Sequence, residues 1–209
     1  MNVVIFGSTG PTGQHLIRQA LASGHHVTAF ARTPSKVTLT HERLHVHQGD
    51  VLDSASVHAA IDGKDAVVSA LGAGAWSQER VRERGTEAIL AAMKTHGVSR
   101  LVALSSFGVG DTREELPFFI RYVVVPLHLA RAFRDCAAME AHLAASDREW
   151  VVVRPPFLTD DDGVGSVQRL TPESIARLAM KVARADVAQF MLEQLASDTW
   201  LHKHAPISN

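Results

Sequence analysis

Seven consecutive residues near the start of the chain, Gly7-Ser8-Thr9-Gly10-Pro11-Thr12-Gly13, place three glycines at intervals of three among three hydroxyl side chains. A stretch of this kind can cradle phosphate groups. Gly7 can turn tightly, Gly10 lets backbone amides approach an anion where a β-carbon would intrude, and Gly13 lets a following helix pack closely on a sheet. Ser8, Thr9 and Thr12 add hydroxyl donors. The spacing is G-x-x-G-x-x-G and not the commoner G-x-G-x-x-G, so the context carries the inference. An apolar run, Asn2–Phe6, precedes the glycines, and a helical pattern with Leu16, Ile17, Ala20 and Leu21 on one face follows them. A helix starting within residues 10–13 turns its free N–H groups and the positive end of its dipole toward a pyrophosphate.

The next chemistry-bearing residues lie at the end of the second apolar run, in Phe30-Ala31-Arg32-Thr33-Pro34-Ser35-Lys36. A dinucleotide site selective for a free ribose 2′-hydroxyl places Asp or Glu there, and residues 25–36 contain neither. Arg32 can instead fork onto a 2′-phosphate, and Lys36 adds a second positive charge, so the expected cofactor is NADPH in preference to NADH. After the third and fourth runs come Gly49-Asp50-Val51 and Leu71-Gly72-Ala73. Asp50 can accept from the adenine amino group, Val51 can cover the ring, and the small residues around Leu71 and Gly72 leave room for the ribose. Ser105-Ser106 closes the fifth run, where a hydroxyl can orient a carboxamide or a substrate carbonyl. Ser106 is the candidate at the chemical centre and Ser105 a cofactor contact. Arg154-Pro155-Pro156-Phe157 closes the sixth: the prolines fix a rigid turn, and Phe157 can wall a planar ligand.

Some chemistry is missing. Tyr122 is the sole tyrosine and the residue four places on is Pro126, so no tyrosine acid assisted by a lysine can be read. Reduction of a ring that takes hydride without a dedicated acid, such as an oxidised flavin, escapes this objection, because solvent can supply the proton. Among 12 histidines, His45/His47 and His202/His204 are spaced to share a strand face, yet no third ligand stands at a recognisable spacing, and no metal is expected. Cys136 is the only cysteine, which excludes an internal disulfide.

These residues need a scaffold that brings the ends of several strands together. Alternating strand and helix patterns predict one: strands at Asn2–Phe6, His26–Ala31, Leu44–Gln48, 66–71, 100–105 and 150–154, with helices from 10–13 to about 23, at Ser54–Ile61, at 79–96 and at 127–145. A strand near 178–182, a helix at 186–195 and an edge strand at 200–204 complete the reading. The expectation is a single Rossmann-type domain over residues 1–209, a doubly wound, mainly parallel α/β sheet with helices on both faces. The length of 209 residues suits one large core, and a net charge of -1 without a basic run gives no case for nucleic acid. With no apolar stretch suited to a signal peptide or a membrane span, a cytoplasmic location is expected.

The chain resembles the atypical short-chain dehydrogenases of the NAD(P)H-binding, NmrA-like class, and within them the biliverdin reductase B/flavin reductase group. The likeness is carried by residues 4–13, Gly49-Asp50-Val51-Leu52, Asp65-Ala66-Val67-Val68, residues 91–98 (Ala-Ala-Met-Lys-Thr-His-Gly-Val), the Pro155-Pro156 turn and residues 182–188. It implies NADPH-dependent reduction of a flavin, a quinone or a similar planar conjugated molecule, with Ser106 at the active centre. The chain departs from the biliverdin reductase pattern at Phe157 and Cys136, where that group has pocket histidines, which weighs against tetrapyrrole reduction. The competing reading is a non-catalytic NADP(H)-binding redox sensor of NmrA-like type; sugar-nucleotide epimerisation ranks third. Residues 113–133 suit a lid or a self-association face, so monomer and homodimer both stay open. Replacing Arg32 by Ala is expected to weaken NADPH about tenfold or more, given roughly 1.5–3 kcal/mol for hydrogen bonds to charged groups, and NADH far less. Calorimetric titration with both nucleotides checks this; equal losses would remove the basis for the cofactor preference.

Overall fold

The computed structural model describes residues 1–72, 79–170 and 180–209. Along the chain run β1 (Asn2–Phe6), α1 (Pro11–Ala22), β2 (His26–Ala31), β3 (Leu44–Gln48), α2 (Ser54–Ile61), β4 (Ala66–Ser69), α3 (Val81–His96) and β5 (Arg100–Leu104). A helical stretch of π type (Ile120–Leu129) then leads into α4 (Ala130–Ala144), followed by β6 (Glu149–Arg154), β7 (Phe157–Thr159), β8 (Gln168–Arg169), β9 (Lys181–Ala183), α5 (Arg184–Glu193) and β10 (Lys203–Ser208). Eight strands form one sheet in the order β3-β2-β1-β4-β5-β6-β10-β8, and β7 and β9 pair separately. Every neighbouring pair in the large sheet is parallel except β10 with β8. The first six strands thus take the doubly wound order of a Rossmann-type α/β fold, with its topological switch between β1 and β4.

Alternation along β1 explains the two helical layers. Val3 and Ile5 pack with Leu16, Ile17 and Ala20 of α1 and with Val187 and Met191 of α5 on one face. Val4 and Phe6 pack with Val57, Ile89, Met93, Met139 and Leu143 of α2, α3 and α4 on the other. A strand covered on both sides must be apolar at every position, which is why β1 shows a continuous run and not an alternation. α1 and α5 lie side by side on the first face, as α2, α3 and α4 do on the second.

Three expectations need correction. The helix before β6 begins well upstream of residue 127, because the π-type stretch from Ile120 contains Pro126 and runs directly into α4. Pro126 has no N–H to give to a normal helical turn, and a widened helix is the way the chain continues past it. The last strand is not an edge strand at 200–204 but Lys203–Ser208, held between β6 and β8. Its inward positions are Ala205 and Ile207, both almost fully buried, while residues 200–202 form the turn that leads into it. β4 stops at Ser69, two residues early, leaving Leu71 and Gly72 in the loop beyond the strand. The strand expected at 178–182 is described from Lys181 onward, and residues 171–179, like Ala73, lie outside the described residues.

The approach of α1 to β1 leaves no room for side chains. A β-carbon on Gly13 would lie 2.1 Å from the Gly7 carbonyl oxygen and 2.8 Å from the Ser8 α-carbon, both backbone atoms that cannot swing aside. Gly13→Ala is therefore expected to destabilise the protein by at least the roughly 1–3 kcal/mol typical of overpacking. A urea denaturation midpoint would measure the loss, and an unchanged midpoint would contradict this packing.

Candidate active site

Two cavities open side by side beyond the carboxyl ends of the central strands. The first, about 470 Å³, is lined by the glycine-rich turn, by Arg32 and Lys36, by Asp50 and Val51, and by Leu71 and Gly72. Gly7, at φ +78°, makes the turn out of β1, and a β-carbon there would lie 2.2 Å from the Ala70 carbonyl oxygen. A side chain on Gly10 would meet only the Gly7 carbonyl oxygen, at 3.3 Å. Gly10 also stands at the N-cap of α1, where no side chain accepts from the first-turn N–H groups. An open amide nest beside a glycine is the arrangement that a pyrophosphate fills. Arg32 and Lys36 are both exposed on the wall of this cavity. Asp50 accepts the Leu52 N–H at 2.9 Å, which fixes its carboxylate at the cavity edge. These residues fit a dinucleotide.

Ser8 does not join them. Its side chain is fully buried and its hydroxyl donates to the Phe30 carbonyl at 2.7 Å, tying the turn to β2, so it is not a free donor for phosphate. Thr9, Pro11 and Thr12 do line the cavity.

The second cavity, about 330 Å³, is lined by Ser105, Ser106, Cys136, Pro155, Pro156 and Phe157, with Leu116, Ile120 and Phe133 on its apolar side. Five expected site residues (Ser105, Ser106, Pro155, Pro156, Phe157) thus gather here and not with the glycines. Two backbone bonds set their positions: Ser105 N–H donates to Val153 O and Phe107 N–H to Pro155 O, each at 2.8 Å. Ser106 is half-buried, and its hydroxyl makes a long 3.3 Å contact with the Phe107 carbonyl. Phe157 is half exposed at the rim. Tyr122 is exposed on the π-type stretch, with its ring against Phe118, and is not among the lining residues.

Ser105 has a different role from the one its position alone suggests. Its hydroxyl donates to Glu140 Oε1 at 2.6 Å. Arg154 grips the same carboxylate through Nε at 3.0 Å and Nη2 at 2.7 Å, and reaches Asp111 with Nη1. Burial works against the Arg154 charge, but the bonds to Glu140 and Asp111 outweigh it and hold the guanidinium above its usual range. The hydrogen bond from Arg154 holds the Asp111 carboxyl below the usual range. His204, 3.7 Å from Glu140, is pushed down by burial and then by the Arg154 charge. Burial pushes the Cys136 thiol up, away from reactive thiolate. Sequence reasoning missed this cluster: Glu140 lies on α4 as one more polar residue, and only the fold sets it under Arg154.

The chain belongs to the NAD(P)H-binding family, whose model matches residues 7–198. It is 36% identical over 142 residues to a 3 beta-hydroxysteroid dehydrogenase/Delta 5-->4-isomerase of Mycobacterium tuberculosis, a match covering 57% of this chain and 37% of that protein. The chain thus spans well under two thirds of that relative's length. Among solved structures it resembles the oxidoreductase ylbE from Lactococcus lactis, with TM-score 0.86 and 18% identity over 100% of this chain and 91% of the other. It also resembles ChuY, an anaerobilin reductase from Escherichia coli O157:H7, with TM-score 0.81 and 22% identity over 100% and 97% of the two chains. These structural likenesses establish the shared fold. Among the described residues, no helix is long and apolar enough to cross a membrane.

Removing the carboxylate beneath Ser105 leaves the buried Arg154 guanidinium with only the solvated Asp111 as an acidic partner and its Nε and Nη2 unsatisfied. Glu140→Ala is expected to cost about 3–5 kcal/mol of stability, read from chemical denaturation. A loss within the error of the wild-type value would show that Arg154 is solvated in the folded protein.

Proposed function

We propose that this protein is an NADPH-dependent reductase that delivers hydride to a small planar conjugated acceptor such as a flavin or quinone. The observation that carries the reading is the adjacency of the two cavities: a glycine-lined cleft of about 470 Å³ that carries Arg32 and Lys36, and a mostly apolar one containing Ser106. In the first, Gly7, Thr9, Gly10, Pro11, Thr12 and Gly13 would hold the pyrophosphate, Asp50 and Val51 the adenine, and Leu71 and Gly72 the ribose. Arg32 and Lys36 would pair with a 2′-phosphate, which is the reason to prefer NADPH. NADPH, when bound, supplies the hydride.

The chain's own contribution is orientation and exclusion of water. Ser106 would donate a hydrogen bond to a carbonyl or ring nitrogen of the acceptor, a role supported by its long and easily exchanged contact with the Phe107 carbonyl. Ser105 cannot make the same donation, since its proton is committed to Glu140. Phe157, Pro156, Leu116 and Ile120 would cover the faces of a flat ring. The chain's one tyrosine, Tyr122, is not among the described residues that line this cavity, and a conjugated ring can take its proton from solvent.

The test is to mix the pure protein with NADPH and a panel of flavins and quinones and to follow loss of the reduced nicotinamide absorbance. Turnover with at least one planar acceptor is expected, and Ser106→Ala should lower kcat up to about 10-fold, the scale of one net hydrogen bond of roughly 1 kcal/mol. Tight NADPH binding with no turnover on any acceptor would overturn the reductase reading in favour of an NADP(H) sensor.

A further inference from the structure

The second cavity is mostly apolar, yet its charged lining residues among those described are two arginines, Arg82 and Arg184, with no carboxylate facing them from the lining. Arg82 stands in the first turn of α3, whose own N-cap, Arg80, makes no side-chain cap. Asp135 of α4 caps that helix instead, accepting from the Arg82 N–H at 3.1 Å and the Glu83 N–H at 2.9 Å. The same carboxylate lies 3.5 Å from Arg82 Nη1, so a single acid already shared by two amides is the guanidinium's ionic partner. The other edge of the guanidinium has no acceptor among the described residues for its buried Nε. A β-carbon built on Gly72 would lie 3.1 Å from Nη2. The Nε/Nη2 edge is the one by which Arg154 grips Glu140, the side-on fork that matches two oxygens of a carboxylate or phosphate.

Arg184 adds to this asymmetry. Its partner, Asp160, is 79% exposed, and a solvated carboxylate neutralises a neighbouring cation only weakly. A buried donor without an acceptor costs about 1–3 kcal/mol, which an anionic ligand group would recover. Gly72 lines the first cavity and Arg82 the second, so the guanidinium stands where the two meet.

We propose that Arg82, assisted by Arg184, selects an acceptor whose conjugated ring system bears a side chain ending in a carboxylate or phosphate. The proposal deepens the reductase reading, in that it names the chemistry of the molecule that occupies the second cavity.

The experiment uses matched pairs: riboflavin against FMN for phosphate, and menadione against a naphthoquinone with a carboxylate side chain. Binding to the NADP⁺-loaded protein is followed by flavin fluorescence and calorimetry, and NADPH oxidation is followed separately. Wild-type protein should bind at least one anionic member about tenfold more tightly than its neutral partner, an energy of about 1.4 kcal/mol. That preference should fall to within about twofold in Arg82→Gln and shrink in Arg184→Gln. Arg82→Lys, which keeps the charge beside Asp135 but not the fork, should give an intermediate value and serves if the Gln variant does not fold. A preference confined to the flavin pair assigns phosphate, and one confined to the quinone pair assigns carboxylate. Equal binding of both members of each pair, or a preference unchanged in Arg82→Gln and Arg82→Lys, overturns the proposal. So does a loss of NADP⁺ affinity in Arg82→Gln without acceptor present, which would place the guanidinium in the nucleotide site. An Arg82-dependent preference without NADPH oxidation would leave this inference standing and remove the reductase reading.

Discussion

The geometry of the glycine-lined cavity depends on two missing β-carbons. Gly7 must turn out of β1 against the backbone of Ala70, and Gly13 must let α1 settle on the carbonyl of Gly7. Both contacts are between backbones, so no repacking of side chains can substitute for them. Together they bring the end of β1, the start of α1 and the exit from β4 into one place, at the point where the order of the sheet reverses. The cleft beyond the strands and the free amides that face it follow from that convergence. Ser8 secures the same turn from the other side by its bond to Phe30, which is a structural use for a hydroxyl lying among phosphate-binding candidates.

A second constraint organises the neighbouring cavity. Arg154, at the end of β6, is nearly inaccessible, and its charge is tolerated because Glu140 takes it side-on while Asp111 takes its remaining nitrogen. Through Glu140 the pair also fixes Ser105, and through Asp111 it ties down the loop after β5. The walls that carry Ser106 and the Pro155-Pro156 turn are therefore anchored by one ionic cluster beneath them. Such a cluster adds little net stability compared with apolar packing, but it fixes the relative positions of three elements that the cavity needs.

Across the two cavities the charge distribution is lopsided. Arg32 and Lys36 line the first cavity, and Arg82 and Arg184 line its neighbour, while the protein as a whole is close to neutral at -1. The acids that would balance them are either spent inside the fold, as Asp135 is on the backbone of α3, or solvated, as Asp160 is. Local potential, not net charge, is what a bound anion would feel.

What the sequence by itself determined was everything encoded in short range. The strand–glycine–helix start, the helix over Ser54–Ile61, the strands from β1 to β3 and the cleft residues Gly7, Gly10, Arg32, Asp50 and Gly72 all follow from patterns spanning a few neighbours, because turn sterics and burial periodicity act locally. What only the tertiary structure decided was the pairing of groups far apart in the chain. Glu140 meets Arg154 and Ser105, Asp135 caps α3 from another helix, and Ser8 turns inward, each by contacts between residues 14 to 53 positions apart. The placement of β10 inside the sheet and the widened helix around Pro126 belong to the same class. A polar side chain carries no local sign of which buried partner awaits it, since that partner exists only once the helices have packed.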